Sequence, residues 1–369
     1  MQRYYNLDFL RAFAMMLGLV IHAPIIFYFP GLAKTLGIEK IAPTENWVFV
    51  MITFISNWRM PLFFILSGFF TNLVIEKKGT KTFIKDRVIR IGITCILFSL
   101  LYDILDDNLD FTTGHLWFLY ELIILVFCFS ILSKIQIIKD ILYSEISLKN
   151  LSILIIYLTL TAPLAVIINN SFDHLALSPS ETFFDLRPGN LVYYFSYFLF
   201  GVILYSNQNI FNGLAKNRII ILLGFLSIIA FFLHLYFNYL VFGEIEDNNN
   251  LEQLKFDPAM VLIVFLMRGI NTICWCFFLI GLATKYFVSK SIVLSWFVEL
   301  SYPLYLIHFL PVLIISVEFY NYGVSQVNIF FLTIIISFII SVIGYYIFIK
   351  YTPLNWIING YHKSFLKIN

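Results

Sequence analysis

Charge is scarce in this sequence. Asp, Glu, Lys and Arg make up 12% of its 369 residues, about half the share usual in a soluble domain. That deficit excludes an ordinary solvated surface, and the hydrophobic residues, 60% of the total, run in long stretches from end to end. A basic face is also missing. The formal net charge of +2 argues against a nucleic-acid partner, which would need one. Cysteine is rare, with Cys95, Cys128, Cys274 and Cys276 making the full set of 4. All fall inside apolar stretches, so neither a disulfide framework nor a zinc site with flanking spacing can be read from them. No two histidines stand at zinc-site spacing with a carboxylate, and no metal is expected. No internal repeat, low-complexity tract or soluble domain is evident, so a single domain over 1–369 is expected.

What is present in their place is bilayer-length apolar sequence. A window of about 20 residues picks out segments near 9–29, 48–75, 88–105, 115–133, 151–169, 190–206, 217–241, 258–285, 292–316 and 325–350. The expected fold class is all-α, a polytopic membrane bundle of about ten transmembrane helices. The first segment is too long for a signal-peptide core and lacks a small-residue cleavage site, so it is expected to be a retained span.

Orientation follows from Lys and Arg in alternate loops. One side receives Arg3, Lys77, Lys78, Lys81, Lys85, Arg87, Arg90, Lys134, Lys139, Lys149, Lys216, Arg218, Lys285, Lys290, Lys350, Lys363 and Lys367. The other receives only Lys34, Lys40, Arg187 and Lys255. Acidic residues show the opposite bias, with Asp103, Asp106, Asp107 and Asp110 in one outer loop and Glu244, Glu246, Asp247, Glu252 and Asp257 in another. By the positive-inside rule both termini are expected in the cytoplasm.

The first span carries polar residues where hydrocarbon makes them expensive. Asp8 opens it, and Arg11 and His22 lie inside it; such residues usually have a purpose. Eleven helical residues at about 100° each turn through about 1100°, three turns plus about 20°, so Arg11 and His22 share a face about 16 Å apart. Asp8 is three positions before Arg11, the spacing of a same-face ion pair. An interfacial anchor, with Arg11 snorkelling to the headgroups, explains Asp8 and Arg11 equally well. A packing histidine is the bland alternative for His22. Taken together on one stripe, the three describe a polar track from the cytoplasm into the membrane.

With that spacing in hand, the sequence resembles the acyltransferase-3 family of membrane proteins, whose hallmark is an Arg, ten residues and a His in the first span. "LDFLR" (7–11) matches the family's usual opening. "WRMPLFFILSGFF" (58–70), "RVIRIG" (87–92), "GHLWFLYEL" (114–122) and "LSYPLYLIH" (300–308) follow in order. The resemblance implies a ten-span acyltransferase of the bacterial cytoplasmic membrane. It implies acetyl- or succinyl-CoA as donor, a hydroxyl of an extracytoplasmic glycan as acceptor, contact with membrane lipids, and partnership with other envelope-biosynthesis proteins. It also implies that Arg87 and Arg90 bind the donor. Two guanidinium forks can grip phosphate oxygens bidentately, and Arg11 would join them. Neutral His22 would act as general base towards the acceptor hydroxyl, with an acyl-histidine relay as the variant. Arg59 or His308 would stabilise the developing oxyanion.

The remaining polar residues have plainer alternatives. Arg59, just before Pro61, is equally read as a buried ion pair with Glu121 or Asp8, and Pro61 is expected to kink the helix and free a backbone carbonyl. Trp117 is read as an interfacial anchor, and His115 either supports the site or is solvated on the outer rim. Glu121 is taken as a supporting residue one turn below Trp117. Arg268 is expected to pair with Glu299. His174, His234 and His362 are placed in an outer loop, on the surface of the seventh span and in the cytoplasmic tail. The rival function is a transporter or flippase, since intramembrane Arg, His and Glu also mark transport pathways; the inverted repeats and paired broken helices common in transporters are not evident.

Overall fold

Proline and glycine punctuation decides where this apolar chain bends and where its helices touch. The computed structural model describes residues 4–38, 43–105, 110–243 and 256–360. The expectations placed on Arg3, Lys40, Asp106, Asp107, Glu244, Glu246, Asp247, Glu252, Lys255, His362, Lys363 and Lys367 lie outside these residues. Eleven main helices run in order: α1 (Tyr5–His22), α2 (Asn46–Lys78), α3 (Thr80–Leu105), α4 (Trp117–Leu132), α5 (Leu148–Asn169), α6 (Pro188–Ser206), α7 (Asn217–Phe242), α8 (Pro258–Tyr286), α9 (Ile292–Ile307), α10 (Phe309–Asn321) and α11 (Gln326–Gly344). Among the described residues there is no strand, and Thr112 and Thr182 form an isolated antiparallel bridge.

Eight of these helices, α2 to α8 and α11, are long and apolar enough to cross a membrane, and the pair α9 and α10 makes a ninth if counted as one broken span. The protein is a multi-pass helical membrane protein. Its outer helices present apolar residues where a soluble protein would be polar: Ile221, Phe225 and Phe232 on α7 are exposed, as are Phe331 and Ile335 on α11. Hydrocarbon is their natural solvent.

Two departures from the sequence reading have a proline as cause. The first span was expected to run to about residue 29, but α1 ends at His22, and short helices Ile25–Tyr28 and Pro30–Thr35 follow. Pro24 lacks an N–H and its ring crowds the carbonyl four residues back, so the helix stops there. The segment expected near 292–316 as one span is broken between Ile307 and Phe309, with a bend of 64°. Pro311 is the cause by the same rule, because its i−4 carbonyl is that of Ile307. His308 sits at the break.

The chain divides into two units. One comprises Met1–Leu7 and Asn57–Val288, the other Asp8–Ser56 and Ser289–Asn369. In the larger unit, α2 and α6 approach until backbones touch. A Cβ on Gly68 would lie 1.9 Å from the Phe198 carbonyl oxygen, and one on Gly201 would lie 1.9 Å from that of Ile65. Small residues permit such contact between membrane helices, where packing replaces the hydrophobic drive. In the smaller unit Leu19, Ile25, Ile26 and Phe27 pack with Val312 and Ile329. Gln326 donates to the Pro43 carbonyl at 2.7 Å and accepts from the Glu45 N–H at 3.2 Å.

Candidate functional site

The smaller unit holds the polar stripe of the first helix. Because α1 is uninterrupted from Tyr5 to His22, the helical spacing applies throughout and Arg11 and His22 do share a face. Arg11 donates to Asp8 Oδ1 at 3.0 Å, forming the expected i, i+3 ion pair. At the other end of the stripe, His22 meets His308. Their ring centroids are 5.5 Å apart, and Phe309 closes edge-on against His22 at 5.4 Å. The break after Ile307 is what makes this possible, since it turns His308 and Phe309 out of the line of α9.

His308 is fully buried, and its Nδ1 lies 2.8 Å from the Tyr305 carbonyl and 3.2 Å from that of Leu304. A carbonyl can only accept, so Nδ1 carries the proton. In the neutral ring the lone pair is then on Nε2. A histidine whose tautomer is set by a backbone carbonyl is oriented to exchange protons through its other nitrogen.

Glu299 corrects one expectation. Tyr345 donates to its Oε1 at 2.7 Å and Lys350 Nζ lies 3.4 Å from the same oxygen. Both partners come from the π-helical segment Tyr345–Lys350. Arg268, the partner expected from sequence, stands over the Phe265 ring at 5.8 Å instead.

The remaining sequence-predicted residues belong to the larger unit. Arg87 and Arg90 lie where α3 passes from α-helix into the π-helical segment Val88–Ile93. Such insertions are frequent at functional sites. Arg87 stacks over Phe83 at 5.1 Å, and Arg90 lies 3.5 Å from Asp86. Both arginines are partly buried. Pro61 leaves α2 unbroken but frees the Asn57 carbonyl, as expected, and Thr272 of α8 donates to it at 2.8 Å. Arg59 is buried beside this junction.

His115 is buried rather than solvated on a rim, with Tyr102 edge-on to it at 5.0 Å. His234 is likewise buried on α7 and not at its surface. Trp117 is partly exposed and lies 5.6 Å from Tyr194 between ring centroids. Glu121 is 1% exposed, and neither carboxyl oxygen has a hydrogen-bond partner among the described residues. The alternative in which it pairs with Arg59 is therefore not what forms.

Sequence reasoning missed three features here. Tyr193 and Tyr194 of α6 are buried beside Glu121's helix, and Asn271 of α8 is fully buried with its amide oxygen and nitrogen both lacking partners among the described residues. Phe309's contact with His22 was also unforeseen. The one available signal was an Asn and an Arg three apart in an otherwise apolar span.

The fold and these residues define a helical membrane protein with a histidine pair of which His308 is fully buried, and comparison with known proteins agrees. The family model described as an acyltransferase domain, that of acyltransferase-3 proteins, matches residues 4–349, and the chain belongs to this family. It is also similar to proteins called glucans biosynthesis protein C from Escherichia coli O1:K1, O139:H28 (strain E24377A) and O9:H4 (strain HS). Each is 26% identical over 232 residues, covering 55% of this chain and 58% of the relative. The chain thus matches little more than half the length of these relatives. No solved structure matches.

Proposed function

We propose that this protein is a membrane O-acyltransferase that moves an acyl group from cytosolic acyl-CoA to a hydroxyl of an extracytoplasmic carbohydrate or glucan, with both termini in the cytoplasm. The observation that carries the reading is the His22–His308 pair at the deep end of the Asp8–Arg11 stripe. Family membership supports acyl transfer, and similarity to glucan biosynthesis proteins supports a glucan acceptor.

In this reading neutral His22 takes the proton of the acceptor hydroxyl as its oxygen attacks the thioester carbonyl. The tetrahedral intermediate then collapses, the C–S bond breaks, and the imidazolium returns the proton to the departing thiolate. No atom or electron is left over. Because the proton on His308 is held by the Tyr305 carbonyl, the neutral ring offers a lone pair rather than a donor. His308 is therefore assigned to relaying the proton of His22. Arg87 and Arg90 are assigned to the donor's phosphates, for which acetyl- and succinyl-CoA are the candidates. The bacterial cytoplasmic membrane is the proposed location, with other envelope-biosynthesis proteins as partners.

The test uses purified chain, radiolabelled acyl-CoA and glucan. His22→Ala is expected to lose transfer by about 10²- to 10⁴-fold, the usual worth of a positioned base. Undiminished transfer by this variant would remove His22 from the chemistry. A transporter would instead take up glycan into proteoliposomes without acyl-CoA.

A further inference from the structure

A charged pair stands where the smaller unit is otherwise built for hydrocarbon, and the acyl-transfer chemistry above does not use it. Glu299 lies seven residues after Ile292, so the two share a face of α9, about 10 Å apart along the axis. Ile292 is 87% exposed and Val293 beside it is exposed too, as are Ile347 and Phe348 in the π-helical segment that supplies Lys350. The Glu299 and Lys350 side chains are themselves 48% and 21% exposed. A carboxylate and an ammonium open to hydrocarbon are expensive, so a polar group must reach them.

The pair is held from both sides. Oε1 of Glu299 accepts from the Tyr345 hydroxyl at 2.7 Å and lies 3.4 Å from Lys350 Nζ, whereas Oε2 has no hydrogen-bond partner among the described residues. The Lys350 ammonium stands 4.7 Å from the centre of the Tyr346 ring and 5.9 Å from those of Tyr345 and Tyr351, a cation–π cradle that orients it. Trp296 Nε1 donates to the Tyr346 oxygen at 3.1 Å, which leaves that hydroxyl's own proton to donate elsewhere. Tryptophan, tyrosine and lysine together mark headgroup level in a bilayer. On the expected topology this level is that of the inner leaflet.

The open groups select a ligand by charge. Lys350 and the Tyr346 hydroxyl donate to an anion, and Glu299 Oε2 accepts from a cation beside it. A phosphate alone is opposed by the carboxylate, and an ammonium alone by Lys350. A choline headgroup has no N–H to donate, and a glycerol headgroup leaves its negative charge facing Glu299. Ethanolamine phosphate carries both charges with N–H donors on the cation, and the acyl chains below it meet Ile347 and Phe348. We propose that Glu299, Lys350 and Tyr346 form a binding site for the headgroup of phosphatidylethanolamine, with the phosphate on Lys350 and Tyr346 and the ammonium on Glu299. The site is independent of the acyl-transfer reading, and a lipid bound there ties α9 to the segment that ends α11.

The experiment uses the full chain in detergent, with native mass spectrometry against phosphatidylethanolamine, phosphatidylcholine and phosphatidylglycerol of identical acyl chains. The wild type is expected to bind phosphatidylethanolamine about ten-fold more tightly than phosphatidylcholine, the worth of a hydrogen bond between charged groups. Glu299→Gln is expected to abolish that preference and shift it to phosphatidylglycerol, because Lys350 then acts without a neighbouring negative charge. Lys350→Gln is expected to weaken phosphatidylethanolamine binding by about ten-fold. Tyr346→Phe removes one oxygen and keeps the ring beside Lys350. It is expected to match the wild type in circular dichroism and to bind phosphatidylethanolamine about five-fold more weakly. Coenzyme A is the soluble source of the same phosphate chemistry and is added as a competitor. The assignment is overturned if coenzyme A displaces the lipid from the wild type, if the three lipids bind it equally, or if every folded variant keeps the wild-type preference.

Discussion

At the residue scale, the two arginines of "RVIRIG" differ in surroundings despite their shared motif. Arg87 has its guanidinium over the Phe83 ring at 5.1 Å, and Arg90 has Asp86 at 3.5 Å. Hydrogen bonds to charged groups contribute about 1.5–3 kcal/mol each. The double change Arg87→Ala, Arg90→Ala is therefore expected to raise the KM for acyl-CoA by ten-fold or more, with a smaller effect on kcat, in steady-state kinetics with acyl-CoA varied. Equal loss in both parameters would place these residues in the chemistry and not in donor binding. The hydrogen bond from His308 to Tyr305 predicts a different pattern. His308→Phe keeps the ring packing against His22 but removes the Nε2 lone pair, so kcat is expected to fall by about 10²-fold, the lower range for proton-transfer groups, while the acyl-CoA KM holds.

Proline and glycine carry the argument at the element scale. Pro61, inside an unbroken α2, hands the Asn57 carbonyl to Thr272 and so ties α2 to α8. Pro311 instead breaks the chain into α9 and α10 and turns His308 towards His22. Pro311→Ala restores the missing N–H and favours a straight helix, so transfer is expected to fall while the protein still folds, checked by activity against circular dichroism and melting of the same sample. The contact of α2 with α6 tolerates no side chain, because the atom met at 1.9 Å from either glycine is backbone and cannot rotate away. Gly201→Ala is expected to destabilise by about 1–3 kcal/mol, the range for overpacking, seen as a lower melting temperature in detergent. The element boundaries that sequence misplaced, at His22 and at His308, both follow from a proline within a few residues. Apolarity persists through each break, so a hydropathy window passes over it.

At the scale of the whole molecule, seventeen of 24 Lys and Arg residues on one side of the expected topology predict the orientation. In a chain with its native cysteines replaced, a cysteine at Lys81 is expected to react with a membrane-impermeant thiol reagent only from the cytoplasm, and one at Ser171 only from outside. The opposite pattern would invert the topology and, with it, the side from which acyl-CoA arrives. Much of this protein was legible in its sequence because a bilayer forces backbone hydrogen bonds into helices and makes every buried charge conspicuous. That constraint made the all-helical fold, the Asp8–Arg11 pair, the shared face of Arg11 and His22 and the freed carbonyl at Pro61 readable from spacing alone. Spacing measures distance within one helix and says nothing about which helices meet. The joining of His22 to His308 and the capture of Glu299 by Tyr345 and Lys350 were decided by the packing of helices far apart in the chain, a property that only the tertiary structure contains.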